Sequence, residues 1–205
     1  MDTAVGLVKT YLELCGYFVL AELPVRARDR DGYRDVTDLD IVAVRFPHPP
    51  RHFLRALDAF LGQDPALGLA GTGVDVLVGE VKEGQARLNP ALHRAETVAF
   101  ALRRVGCCPE ERVDDEARAI ADEGEDELAL PGGLPCRVRV VAFAGYGGGD
   151  TGRLRTIPLQ RCVEFIAAQL RDGREVLAGA QFKDPVLGLF ALEDKLARQV
   201  FGGMG

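Results

Sequence analysis

Four charged residues on two strand-like segments are the first candidates for chemistry. In TDLDIVAV, Asp38, Asp40 and Val42 lie two apart, so in a strand they share a face. In VDVLVGEVKEG, Glu80 and Lys82 do the same and continue the face of Val74, Val76 and Val78. An apolar strand face that turns acidic and then cationic has to be explained, because burying carboxylates without partners costs several kcal/mol each. If the two segments are neighbours in one sheet, Asp40, Glu80 and Lys82 converge. Asp40 and Glu80 can then hold a divalent cation through oxygen ligands, as Mg²⁺ prefers, with positions left for water and a phosphate oxygen. Asp38 either joins them as a ligand or only caps the strand entrance. Lys82 is placed to orient or activate the attacking water, or to stabilise charge that builds on phosphorus. The plainer alternative is a solvent-facing strand end with an ion pair. Asp75 opens the second segment on the opposite face and reads as structural.

The string E-x-K is weak by itself. With 14 Glu and 4 Lys in 205 residues it occurs twice, as Glu80/Lys82 and Glu193/Lys195. The second copy sits in a helical pattern, where residues two apart project roughly 200° from one another and cannot form one site. Strand context distinguishes the first copy. Arg outnumbers Lys 21 to 4, so a lysine at position 82 is not the default cation of this composition.

These residues need a scaffold, and the periodicity supplies one. Residues 2–15 form an amphipathic helical pattern through Val5, Val8, Leu12 and Cys15, with Gly16 as its stop. Two strand-like runs follow, YFVLAELPVRA and RDVTDLDIVAVRF, joined by a hairpin signal at Asp31-Gly32. Residues 47–73 are an insertion with a short helical pattern at 51–62. The E-x-K strand comes next, then a helix that Asn89 caps and Pro90 opens. The acidic stretch, taken as 110–131, reads as a solvated loop or frayed helix. A strand at 136–146, a Gly-rich loop, and helices at 157–172 and 191–201 complete the chain. The expected fold is a single α/β domain spanning 1–205, a three-layer α/β/α sandwich around a small mixed sheet.

The N-terminal helix with LELCGYFVL, then TDLDIVAV, VGEVKEG and a following helix, together resemble the PD-(D/E)XK nuclease superfamily, which includes many restriction endonucleases and Holliday-junction resolvases. The resemblance covers about residues 2–105. It implies a restriction endonuclease-like fold and a metal site made by an Asp of the second strand with the E-x-K of the third. Asp40 matches that Asp, Glu80 the acid and Lys82 the lysine. It also implies a nuclease that uses Mg²⁺, or Mn²⁺ in its place, on DNA, with RNA left open and a homodimer expected because duplex cleavage needs two active sites. A silent member of the fold, acting as a nucleic-acid-binding or protein-interaction module, is the alternative. Resolvase-like members carry a further Glu early in the first helix. This stretch reads Val5-Gly6-Leu7-Val8-Lys9, and Glu13, near the helix end, is the nearest candidate.

Composition bounds the rest. Hydrophobic residues at 47% and charged residues at 27% argue against general disorder. No apolar run approaches the ~20 residues that span a membrane, and the N-terminus does not read as a secretory signal, so a cytoplasmic protein is expected. Residues 110–127 hold ten acids and two arginines, a local −8 that leaves +2 of the −6 total elsewhere. Such a segment cannot line a nucleic-acid groove and is expected on its rim or mobile. Arg26, Arg28, Arg30 and Arg34 around the hairpin, and Arg87, Arg94, Arg103 and Arg104 after the E-x-K strand, are candidates to track a phosphate backbone. His48 and His52 read as a surface pair and His93 as an interface or core-edge residue. Gly145–Gly152 lacks the Lys-Ser/Thr of a phosphate loop. The five cysteines fit neither a disulfide framework nor a zinc site, and the adjacent Cys107-Cys108 read as reduced, half-buried thiols.

Overall fold

Asp2 starts the first helix. Its side chain accepts hydrogen bonds from the N–H groups of Ala4 and Val5 at 2.8 and 3.3 Å, which caps α1 (Thr3–Leu14). Gly16, with φ 85°, ends the helix, as its position predicts. The computed structural model describes residues 2–29, 32–47, 63–69, 73–85, 94–146, 155–175, 177 and 181–202. The helical pattern at 51–62, the Asn89-Pro90 cap, Arg30, Arg87, His48, His52, His93 and most of the Gly145–Gly152 loop fall outside these residues.

β1 (Phe18–Asp29) pairs antiparallel with β2 (Gly32–Arg45), which pairs antiparallel with β3 (Val74–Gln85). After α2 (Ala95–Val105) and α3 (Glu110–Glu123), β4 (Glu125–Ala129) turns into β5 (Pro135–Tyr146), which lies parallel to β3. β6 (Arg155–Pro158) pairs parallel with the far half of β5, and α4 (Leu159–Asp172) and α5 (Pro185–Gly202) follow. The result is an α/β fold with a mixed six-stranded sheet in the order β1-β2-β3-β5-β4, β6 sharing the β5 edge with β4. Val76, Val78, Val138 and Val140 pack against α2 and α3. Leu77, Val141 and Phe143 pack on the other face against α1 and α4, and Leu187 and Phe190 of α5 join that cluster. Helices therefore cover both faces, and β3 and β5 are buried on both sides, as their near-continuous apolar runs require. No helix among the described residues is long and apolar enough to cross a membrane.

Three elements differ from the sequence reading. The acidic stretch is neither loop nor frayed end: it is α3 followed by β4. Val113, Ala117, Ile120 and Ala121 recur at helical spacing and are buried, while the acids take the outer face. Arg103 bridges Glu110 and Asp114, Arg118 pairs with Asp115, and Gly124 closes the helix at φ 87°. α5 starts six residues before the expected Ala191, at Pro185, a residue suited to a first helical turn. The residues read as the end of a loop and the start of a helix, Arg155 to Pro158, form β6.

Two buried polar networks fasten the insertion and the sheet. Asp75 receives Arg139 Nε at 3.0 Å and Nη2 at 2.9 Å and the Tyr17 hydroxyl, while Arg139 Nη1 donates to Leu67 O at 2.7 Å. Asp64 accepts from Tyr11 Oη at 2.9 Å and from Arg161 Nε and Nη2 at 2.9 and 2.8 Å. Burial works to raise the Asp64 carboxyl, but Arg161, the Ala66 N–H and Tyr11 outweigh it and hold the group below its ordinary range.

Candidate active site

The register of β2 on β3 brings Asp40 beside the Glu80-Val81-Lys82 segment. The last paired rung is Ile41 with Gly79, so Asp40 and Glu80 come next on their two strands. A Cβ on Gly79 would meet Ile41 Cβ at 3.0 Å, so glycine lets the strands approach closely there. Beyond that rung a side chain replaces the backbone ladder: Asp40 Oδ2 accepts the N–H of Val81 at 2.8 Å. The β2 carboxylate is thereby fixed to the residue between Glu80 and Lys82. Glu80 is 2% exposed, and its Oε1 lies 2.6 Å from Lys82 Nζ, whose side chain remains 43% exposed. Desolvation pushes the half-buried Asp40 carboxyl above its ordinary range. The Val81 N–H and Lys82 oppose the shift, and the charges of Asp2 and Asp38 add to it.

Asp2 and Glu22 complete the surroundings, and the sequence reading missed both. Ala21 pairs with Ile41 and Leu23 with Leu39, so Glu22 stands opposite Asp40. Glu22 has φ 53°, an uncommon value for a residue with a side chain, and its Oε1 accepts the N–H of Asp2 at 2.8 Å. The backbone turns over at this point. Ala21 and Ile41 pack toward α1, whereas Leu23 and Leu39, two residues away on the same strands, pack toward α2. Regular alternation would keep each pair on one face. The only sequence signal for Asp2 was its suitability as an N-cap, and nothing in the local pattern marked Glu22.

The same turnover corrects the placement of Asp38. Leu39 and Val42 pack in one cluster, so Asp38 does not share a face with Val42. It is exposed opposite Pro24 and reaches Asp40 only through its charge. Glu13 lies at the opposite end of α1 from Asp2, paired with Lys9 at 2.8 Å, and is not part of the site.

The arginines divide. Arg26 pairs with Asp35 at 2.8 Å and Arg34 reaches Glu96 of α2 at 3.3 Å, all four exposed. Arg94 is exposed at the start of α2. Arg28 is opposite Tyr33 in the β1–β2 register, and Arg103 is engaged by α3. Among the described residues, no group of three or more His, Cys, Asp or Glu is gathered as a metal-ion site. Asp40 and Glu80 nonetheless offer hard oxygen donors on adjacent strands. That donor set fits Mg²⁺, which is usually held by one or two carboxylates and keeps several waters. No protein-family model, curated protein or solved structure matches the chain.

Proposed function

We propose that this chain is a metal-dependent nuclease of the restriction endonuclease-like fold, hydrolysing phosphodiester bonds of DNA with Mg²⁺ or Mn²⁺. One observation carries the reading: the Asp40 carboxylate is bonded to the backbone of Val81, at the centre of Glu80-Val81-Lys82. An acid of the second strand therefore meets the E-x-K of the third at the point where the strands part. In this reading Asp40 and Glu80 hold the cation, which supplies charge neutralisation and a bound water of lowered pKa. Lys82, half exposed at the mouth, faces the phosphate and the attacking water. Arg26, Arg34 and Arg94 are the candidates for duplex contact.

The Glu80–Lys82 contact favours a second reading. An ammonium 2.6 Å from the carboxylate satisfies it without a metal, and the described residues add no third ligand. A silent nucleic-acid-binding or protein-interaction module would look like this.

A cleavage panel separates the two. Wild type is incubated with duplex DNA, a four-way junction, single-stranded DNA and RNA, with Mg²⁺ and with EDTA, beside Glu80→Gln. The nuclease reading expects cleavage of at least one DNA form, abolished by EDTA and by Glu80→Gln, with Mg²⁺ affinity lost in the variant by calorimetry. Cleavage unaffected by EDTA overturns the mechanism. No cleavage of any substrate establishes the silent module.

A further inference from the structure

A strained stretch of backbone stands beside the proposed site. Glu22 has φ 53°, and among the described residues it is the one non-glycine with a positive φ. A Cβ makes that conformation costly, whereas glycine adopts it freely. The pairing of β1 with β2 explains why β1 takes it here. Leu39 packs toward α2 and Ile41 toward α1, so Asp40 between them is left out of the regular alternation. It turns instead to β3, where Oδ2 accepts the N–H of Val81 at 2.8 Å. Residues paired across two strands share a face. Ala21 is paired with Ile41 and Leu23 with Leu39, so β1 has to change face at the same level. Extended backbone keeps its alternation, and the left-handed step at Glu22 breaks it.

We propose that Glu22 is a positioning residue for the site: its left-handed backbone carries β1 through the turnover that aims Asp40 at Glu80-Val81-Lys82, and its carboxylate clamps that backbone in place. Glu22 Oε1 accepts the N–H of Asp2 at 2.8 Å, and Asp2 Oδ1 caps the first turn of α1 through the N–H groups of Ala4 and Val5. The strained residue is thus tied to the start of a helix whose Val8, Tyr11 and Leu12 are buried in the core. A glycine would reach the same φ without strain but could not make the tie. The glutamate makes the tie and carries the strain, which persists only where the surroundings over-determine it. The consequence for cleavage rests on the nuclease reading; the placement of Asp40 does not.

Hydrogen exchange of the Val81 amide reads that placement, because this N–H is the donor to Asp40. The full chain is compared with Glu22→Gln, Glu22→Gly and Glu22→Ala, and the Val78 and Val140 amides in the sheet core serve as references. Glu22→Gln keeps the acceptor and should exchange as wild type does. Glu22→Ala loses the clamp but keeps the Cβ, so its Val81 amide should exchange about 3–10 times faster, as for loss of one hydrogen bond. Glu22→Gly loses the clamp and the strain together, and should exchange about tenfold slower than Glu22→Ala. Val81 should respond more than Val78 and Val140, which a general loss of stability would move with it. Single-turnover cleavage of DNA should fall about tenfold in Glu22→Ala and recover in Glu22→Gln.

A Val81 amide that exchanges alike in all four proteins, or no faster in Glu22→Ala than in Glu22→Gly, overturns the proposal. Wild-type cleavage in Glu22→Ala overturns it as well. Absence of cleavage in wild type removes the nuclease reading alone, and the order of Val81 exchange still decides whether Glu22 positions Asp40.

Discussion

β3 buries two carboxylates, Asp75 at its start and Glu80 midway along it, and the two positions solve the same problem differently. Asp75, 3% exposed, is enclosed by Arg139, itself 2% exposed, and by Tyr17. Donors surround it and water has no access. Glu80 is as deeply buried, but its nearest cation is a half-exposed lysine, and the strand pairing on one side has just ended. The first arrangement closes on itself and welds β3, β5 and the 64–69 segment. The second opens onto solvent with Asp40 beside it. Burial of a charge alone therefore does not mark a functional site, and neither does an accessible partner, since Asp64 is buried against the partly exposed Arg161 in a structural network; what sets Glu80 apart is that the strand pairing beside it has ended.

Lys82→Ala should produce the largest divergence between the two positions. Under the nuclease reading, DNA binding and much of the metal binding survive, while the cleavage rate falls by a factor on the order of 10²–10⁴, as for loss of one positioned electrostatic or proton-transfer group. Its stability cost should stay below that of Arg139→Met, because water can enter the space left by a half-exposed ammonium and solvate Glu80. Single-turnover rates and a denaturation curve on one preparation give both numbers. Wild-type cleavage in Lys82→Ala would remove the lysine from the mechanism.

Arg139→Met should do the reverse. It leaves Asp75 buried without its counter-ion, at a cost of about 3–5 kcal/mol. The double variant Arg139→Met/Asp75→Leu should recover a good part of that loss, since the pair is replaced by apolar bulk. Urea titration of the three proteins measures it. A loss under about 1 kcal/mol in the single variant would mean that water reaches Asp75, and the contrast with Glu80 would collapse.

What the sequence made legible follows from what is local. The first helix and its Gly16 stop, the β1–β2 hairpin and the E-x-K strand all carry their period in adjacent residues, and the structure has them. The adjacency of β2 and β3, which sets Asp40 against the backbone of Val81, was also readable, because two strands with matching polar positions have few other ways to satisfy them. α3 was obscured by its charge: ten acids over 110–127 hide four apolar positions whose spacing is helical. The turnover of β1 and β2 at Glu22 and Asp40 has no sequence marker, since the residue with positive φ is a glutamate and not a glycine. That single backbone choice displaced Asp38 from the site and brought Asp2 and Glu22 to it.

The smallest expected effect bears on the open site most directly. The Asp40 carboxyl is raised above its ordinary value of 3.8, so its ionised form is disfavoured in the folded chain. The sign follows from linkage. Below that ordinary value the group is protonated in both states and costs nothing. As pH climbs toward the folded value, the unfolded chain ionises first and stability falls, and above the folded value the whole deficit persists at neutral pH. Asp40→Asn removes the charge yet keeps an oxygen to accept the Val81 N–H. At pH 7 the variant should therefore melt slightly higher than wild type, by on the order of 1–2 °C for a chain of this size, with the advantage gone near pH 3. Mg²⁺ should reverse the ranking at pH 7, because a ligand that binds only the folded wild type stabilises it in proportion to the logarithm of its occupancy, and the variant lacks a carboxylate to bind it. Melting scans of the two proteins at pH 3 and 7, with and without Mg²⁺, give all the comparisons. A variant that melts lower than wild type at pH 7 without metal would show that Asp40 is a satisfied structural acid like Asp75, and the distinction between the closed Asp75 network and the open site around Glu80 would no longer hold.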